Sequence, residues 1–223
     1  HLLVSSVHAF TASQNLLDNK SQEGGELRRA RAATLSVIPT KTGAVKACAK
    51  IFPHLKGKLD GMAFRVPVPT VSCAYMAFEL KQSTDEKTVL EKLEAASRVA
   101  PMKGILAISH EQCVSIDFQT DPHSSIVDAP STKVVDGKAV QLLSWYDNEW
   151  GYAMRVTEMV LKVGDLIGHH GDGAQHNVDH VLFAVADVDQ FLIARFDGDA
   201  VSQLFDRLAR ETIKQLAHAA VEA

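Results

Sequence analysis

At residues 62–80 the sequence reads MAFRVPVPTVSCAYMAFEL, two runs of apolar and aromatic residues separated by prolines. Residues of these types pack well on a pleated surface, whereas proline lacks the N–H that a strand interior needs. The pattern therefore predicts two strands, over residues 62–69 and 71–80. Arg65 interrupts the first of them, and a guanidinium that points inward needs an anion. A protein carboxylate is the commoner partner, and a ligand phosphate is the alternative.

Residue patterns predict the strands and helices of the rest of residues 1–167 as well. Further strands are predicted at residues 2–7, 105–109, 114–118, 133–135 and 139–145. Asp136-Gly137, between the last two, is typical of a hairpin turn. Helices are predicted at residues 42–52 with Thr42 as N-cap, at 84–98 with a capping box of Ser83 and Glu86, and at 149–167.

Strands predominate in this outline, which predicts an α+β fold: a mostly antiparallel or mixed sheet with helices on one face. No G-x-G-x-x-G sequence follows a strand, so the chain carries no dinucleotide-binding fingerprint of its own. A doubly wound nucleotide-binding fold is therefore not expected.

Composition narrows the possible functions. The chain has 223 residues, 46% of them hydrophobic, and a formal net charge of -4. Because acids outnumber bases, we expect neither a nucleic-acid partner nor binding to an anionic membrane. The three cysteines, Cys48, Cys73 and Cys113, form no C-x-x-C pair and are typical of reduced, buried thiols in an intracellular protein.

Three polar segments stand where a core strand or helix would be apolar: SSVHAFT at 5–11, TKTG at 40–43 and WYDNEWGY at 145–152. His8 follows a strand, where an imidazole could face a cleft and act as a general base, although for this residue taken alone a hydrogen-bonded histidine at a sheet edge is the favoured interpretation. Thr42-Gly43 opens a helix, whose free N–H groups suit either a phosphate or a plain N-cap.

Six longer sequence motifs follow one another along residues 7–152 and include parts of these segments. They are VHAFT (7–11), LRRARAA (27–33), IPTKTGA (38–44), GKLDGMAFRVP (57–67), KGIL (103–106) and SWYDNEWGY (144–152). With them, residues 2–167 resemble the catalytic domain of phosphorylating glyceraldehyde-3-phosphate dehydrogenases. The resemblance implies oxidation of an aldehyde through a cysteine thioester, hydride transfer to NAD and phosphorolysis, in glycolysis and gluconeogenesis. It also implies a cytoplasmic homotetramer.

The resemblance gives each matching residue a role. His8 would be the base that pairs with the catalytic cysteine. Thr11 and Arg65 would form one anion site, for either the substrate phosphate or inorganic phosphate, and Thr42 with Gly43 would form the other. Asn148 would hold the nicotinamide carboxamide, with Tyr152 close by as the second cofactor-binding residue. The polar segment 18–33 would line the cofactor site of a neighbouring subunit. No metal is implied.

The chain also departs from the family pattern. The family's Ser-Cys-Thr-Thr-Asn nucleophile motif and its nucleotide-binding half are absent from the 223 residues, so we expect that the chain is truncated and inactive by itself. Tyr75 replaces an acid that is usual in relatives. The choice between NAD and NADP is set by the absent half. An erythrose-4-phosphate dehydrogenase and a non-catalytic, oligomer-forming paralogue or gene remnant are the alternatives.

Residues 168–223 lie beyond the resemblance. Their pattern predicts a ββα-like appendage, and we assign 1–167 to the catalytic domain and 168–223 to an extension without a family. Its histidines and aspartates permit a metal site, but a fused tail or a shifted reading frame explains the composition better than a metal does.

Overall fold

The computed structural model describes residues 1–12, 14–20 and 27–168. The chain divides into two compact units, His1–Trp150 and Gly151–Glu222. The elements in chain order are β1 (Leu2–His8), a 3₁₀ turn (Arg28–Ala30), β2 (Ile38–Thr40), α1 (Ala44–Ile51), a 3₁₀ turn (Pro53–Leu55), β3 (Leu59–Arg65), β4 (Ser72–Glu79), α2 (Glu86–Ser97), β5 (Leu106–Ser109), a 3₁₀ turn (Ser115–Phe118), β6 (Ser125–Asp128), β7 (Lys133–Val135), β8 (Ala139–Tyr146) and α3 (Trp150–Gly168).

The strands of the described residues form one mixed sheet. Its order is β2-β3-β1-β4-β8-β6-β5, and β7 pairs with β8. The pairs β1–β3 and β5–β6 are parallel, whereas the other pairs are antiparallel. The predicted α+β class with a mixed sheet is confirmed.

One face of the sheet carries the main apolar core. Leu106, Val127, Val140 and Leu142 are buried together, and α2 packs on them through Val89, Leu90 and Leu93. Because successive side chains of a strand point to opposite faces, this face takes the even-numbered residues of β8.

The opposite face is only partly covered. Phe118 stacks on Trp145 with ring centroids 5.6 Å apart, and Val71 and Ile126 join this second cluster. Elsewhere on that face, Leu3 and Tyr75 are 61% and 38% exposed. The face therefore presents apolar surface next to a small aromatic cluster.

The predicted hairpin between β7 and β8 is confirmed. Asp136 and Gly137 both have positive φ, 51° and 67°. Two consecutive left-handed residues are characteristic of a type I′ turn, whose twist matches that of the flanking strands.

The strand predicted at residues 114–118 is wrong, because this segment forms the 3₁₀ turn Ser115–Phe118. Asp117 accepts a hydrogen bond from the Val114 N–H at 2.8 Å, and its own N–H donates to the Val114 carbonyl at 3.1 Å. A local carboxylate that satisfies the backbone in this way competes with strand pairing. Cys113, just before this turn, lies in a loop.

The predicted helix caps need two corrections. The N-cap of α1 is Gly43, although Thr42 Oγ1 accepts a hydrogen bond from Ala44 N at 3.1 Å. The N-cap of α2 is Asp85, whose carboxylate accepts from Thr88 N at 2.7 Å, so the predicted Ser83 capping box is wrong. Two short strands, β2 and β6, were not predicted at all.

The described part of the second unit is the stretch of α3 from residue 151 to residue 168. The sequence predicted this helix at residues 149–167. Within this helix Arg155 pairs with Glu158, and Thr157 Oγ1 donates to the Ala153 carbonyl at 3.0 Å. No helix of the described residues has both the length and the apolar character that crossing a membrane requires. The appendage predicted beyond residue 168 lies outside the described residues, as does its histidine-rich segment.

Candidate active site

Four polar side chains meet at one end of the sheet. His8 is the last residue of β1 and pairs in register with Arg65, the last residue of β3. Tyr146 ends β8 opposite Ser72, the first residue of β4. Strand alternation places these residues on the same face as the α2 core.

The His8 imidazole is held by a neighbouring phenol. Its Nδ1 lies 3.0 Å from Tyr146 Oη, and the two rings are at 77° to each other. Burial lowers the pKa of His8 below its usual value, and the positive charge of Arg65 lowers it further. The imidazole is therefore predominantly neutral near pH 7 and can accept a proton.

Arg65 has no acidic partner among the described residues. Its Nη1 donates to the Ala9 carbonyl at 3.1 Å, and its buried Nε has no hydrogen-bond partner in the described part of the chain. The protein carboxylate that is commonest for an inward guanidinium is thus not found in the described ranges. A partly buried cation that none of these residues pairs with an acid favours the alternative, a ligand phosphate.

A second guanidinium reinforces this positive charge, and residue-by-residue reasoning had not singled it out. Arg29, in the Arg28–Ala30 turn, lowers the pKa of Arg65 further, after the larger effect of burial. Like charges repel, so the charge of Arg29 disfavours the charged form of Arg65. The LRRAR run (27–31) was the signal in the sequence. Because Arg29 lies 36 positions before Arg65, the sequence alone does not show that the two guanidinium groups are close.

Asn148 reaches the same end of the sheet through a serine. Ser72 Oγ accepts a hydrogen bond from Ala9 N at 3.2 Å and donates to Asn148 Oδ1 at 3.5 Å. The preceding residue, Asp147, is buried and accepts hydrogen bonds from the N–H groups of Thr120, Glu149 and Trp150. This carboxylate fixes the backbone from which Asn148 projects.

The other predicted site residues lie outside the strands that carry His8 and Arg65. Thr11 is exposed in the loop after β1, where its N–H donates to Gln14 Oε1 at 3.2 Å.

Because β2 runs antiparallel to β3, Ile38 lies opposite Arg65, and Thr42 lies beyond the far end of β2. Within the described residues no hydrogen bond or ion pair joins Thr42 or Gly43 to His8 or Arg65. Tyr152 belongs to the second unit and is 66% exposed.

No cysteine of the described residues is paired with His8. Cys73 pairs in register with Val7, so it faces the other side of the sheet, and burial raises its pKa to about 11. Burial also raises the pKa of Cys48, in α1. Cys113 lies after β5, with Sγ 4.0 Å from Ser109 Oγ. A thiol with a raised pKa forms little thiolate at neutral pH and is a poor nucleophile.

Comparison with known proteins identifies related sequences. Residues 1–148 match the family described as glyceraldehyde 3-phosphate dehydrogenase, C-terminal domain. The glyceraldehyde-3-phosphate dehydrogenase of Mycolicibacterium smegmatis is 48% identical over 162 residues, which cover 73% of this chain and 46% of that protein. Glyceraldehyde-3-phosphate dehydrogenase 2 of Bacillus subtilis is 44% identical over 167 residues, covering 75% and 48% respectively.

A third relative agrees with these two. Glyceraldehyde-3-phosphate dehydrogenase 3 of Nostoc sp. is 47% identical over 163 residues, 73% of this chain and 48% of that protein. The chain spans about half the length of the curated relatives that it matches. It belongs to the glyceraldehyde 3-phosphate dehydrogenase family, and the part that matches is the family's C-terminal domain.

Proposed function

We propose that this chain supplies the catalytic, substrate-handling part of a phosphorylating glyceraldehyde-3-phosphate dehydrogenase. Residues 1–167 would form that domain, with 168–223 as an extension. The observation that carries the proposal is the pairing of His8 with Arg65, a mostly neutral imidazole beside a guanidinium without an acidic partner among the described residues. A base next to an anion-binding cation is the combination that a reaction on a phosphorylated aldehyde needs.

His8 would act as the base that keeps a cysteine as thiolate and takes up the proton when the aldehyde is oxidised. Its lowered pKa supports this role, since a neutral imidazole is the form that can accept a proton. The cysteine would come from outside the 223 residues, because Cys73 faces away and is poorly ionised. The chain alone is therefore expected to be inactive.

Two anion sites would hold the substrate phosphate and inorganic phosphate. Arg65 with Thr11 would form the first, and the nearby charge of Arg29 supports it. The start of α1 at Thr42-Gly43 would form the second, through backbone N–H groups at the positive end of the helix dipole.

The described residues fit a nicotinamide carboxamide at Asn148. Its side-chain amide has both a donor and an acceptor, and Ser72 engages only the acceptor. Asn148 would hold the carboxamide with Tyr152 close by, and NAD or NADP would supply the hydride acceptor when bound. The absent nucleotide-binding half would hold the rest of the dinucleotide.

A homotetramer in the cytoplasm is part of the same proposal. Leu3 and Tyr75 are exposed on the face of the sheet opposite α2, and Met62 is 41% exposed on the same face by strand alternation. Apolar surface of this kind is typical of subunit contacts. The segment 18–33, described at 18–20 and 27–33, would reach the cofactor site of a neighbour.

Titration of the chain with inorganic phosphate tests the anion site directly. We expect the pKa of His8, followed by NMR, to rise as phosphate fills the site, because the anion opposes the effect of Arg65 and favours imidazolium. His110 provides the comparison within the same spectra, because it is exposed and pairs with Glu94 on another part of the surface. A pKa of His8 that does not change up to high phosphate concentration, at constant ionic strength, would contradict the proposal.

His8→Asn in the complete dehydrogenase tests the base. We expect kcat to fall by roughly 10²–10⁴-fold, with a higher pKa for the catalytic thiol. His110→Asn is the matched control, since His110 is exposed and pairs with Glu94. Near-normal turnover together with an unchanged pKa of the catalytic thiol would refute the role of His8. Assays of the same enzyme with glyceraldehyde 3-phosphate and erythrose 4-phosphate would decide between the two substrates.

A further inference from the structure

Ser72 is a buried polar residue to which the reaction outlined above gives no part. Its side chain is 3% exposed, and it opens β4 directly after Val71, which has a φ of 63°. A buried β-branched residue rarely adopts this left-handed conformation, and such residues cluster at functional sites. The backbone thus holds Ser72 in place at a local conformational cost.

The hydrogen bond between Ala9 N and Ser72 Oγ has a fixed direction. A backbone N–H can only donate, so Ser72 Oγ must be the acceptor in its contact with Ala9 N at 3.2 Å. The serine proton is then available for an acceptor, and Asn148 Oδ1 lies 3.5 Å away. The hydroxyl also hydrogen-bonds with Tyr146: burial raises the pKa of that phenol, and the hydrogen bond with Ser72 opposes the rise. Because serine has one proton, the Tyr146 phenol is the donor to Ser72 Oγ when that proton goes to Asn148.

This direction determines which end of the Asn148 amide faces outward. If Oδ1 accepts from Ser72, the Nδ2 group with its two donors is left for a ligand. We propose that Ser72 is a positioning residue that fixes the amide of Asn148 with Nδ2 outward, so that the site selects the carbonyl oxygen of a bound carboxamide. The inference rests on the proposed function for the identity of the ligand, but the orientation of Asn148 can be measured without any ligand.

Threonine and valine side chains have nearly the same shape, so the pair of substitutions Ser72→Thr and Ser72→Val isolates the hydroxyl. In the 223-residue chain we expect the Asn148 side-chain ¹⁵N order parameter in the wild type and in Ser72→Thr to stay close to that of the rigid backbone, about 0.85. In Ser72→Val it should fall below about 0.6, the range of a mobile group.

The matched control is Ser144→Ala. Ser144 is a buried serine on β8, 4% exposed, whose hydroxyl pairs with Ser125 Oγ at 2.6 Å and not with Asn148. This substitution also removes a buried hydroxyl from the sheet, but Asn148 should remain rigid. A mobile Asn148 in the wild type, equal order in the threonine and valine variants, or loss of order in Ser144→Ala would each overturn the proposal.

A second readout separates this inference from the proposed function. In the complete dehydrogenase we expect Ser72→Val to raise KM for NAD by roughly tenfold, the effect of losing about one hydrogen bond, with a smaller change in kcat. The phosphate response of His8 should persist in the isolated chain. Absence of that response would count against the proposed function alone, whereas an unchanged KM for NAD in an active enzyme would count against the role of Ser72 alone.

Discussion

The two ends of one sheet face differ sharply although the same strands build both. Towards one end, β4 and β8 point apolar side chains into the core beneath α2: Phe78 and Met76, and Val140 and Leu142. Leu2 and Val4 of β1 lie on the same face, paired in register with Phe78 and Met76. Towards the other end the same strands carry small, polar or ionisable residues: Ser6 and His8, Ala74 and Ser72, and Ser144 and Tyr146.

The difference shows how one sheet can provide both stability and a reactive site. The apolar end gains free energy by removing hydrocarbon from water. At the polar end each buried group needs a partner, and hydroxyls satisfy one another, as Ser144 and Ser125 do at 2.6 Å. Site residues carried by strands of a packed sheet are held more firmly than residues on loops.

The largest effect is expected from Leu142→Ala at the apolar end. Leu142 is 7% exposed in the main core, and truncation of such a residue lowers the free energy of unfolding by about 2–5 kcal/mol. Urea denaturation measures the change, and Val99→Ala, at a 59% exposed position, should alter it by less than about 0.5 kcal/mol. Equal losses in the two variants would show that this cluster is not the stabilising core.

The next largest effect is expected from Arg65→Met at the polar end, and it should appear in binding instead of stability. Loss of a charged hydrogen bond should weaken phosphate binding by about 10–150-fold. The pKa of His8 should rise, because the charge of Arg65 lowers it. NMR titration measures both quantities.

Arg98→Met is the control for this change, since Arg98 is exposed and pairs with Glu94 on α2. It should leave phosphate binding and the pKa of His8 unaltered. A large loss of stability in Arg65→Met would contradict the comparison, because removal of a partly buried cation that has no acidic partner among the described residues should cost little.

The smallest expected effect is on the pH dependence of stability. The pKa of His8 is lower in the folded chain than in the unfolded chain, so the folded state favours neutral imidazole. The stability linked to His8 is therefore complete above the unfolded pKa of about 6.5 and is lost as pH falls from there towards the folded pKa. Urea denaturation between pH 8 and pH 5 should show a shallower decline in His8→Gln than in the wild type. An equal slope in His8→Gln and in the wild type would contradict the prediction.

Prediction from sequence succeeded where the signal was local. The β7–β8 hairpin follows from Asp136-Gly137, and most of β1, β3, β4 and β8 from their apolar runs. Prediction failed at residues 114–118, where Asp117 bonds the backbone locally, and at the very short strands β2 and β6. In the candidate site, His8 and Arg65 were recognised as residues of unusual type for their positions.

The sequence by itself determined the α+β class, the family resemblance and the residues that break the apolar pattern. Only the tertiary structure decided that Tyr146 lies 3.0 Å from His8 and that Ser72 joins Ala9 to Asn148. These contacts join residues 138, 63 and 76 positions apart. The physical reason is that strand periodicity fixes the face of each side chain, whereas the pairing and register of distant strands fix which side chains meet.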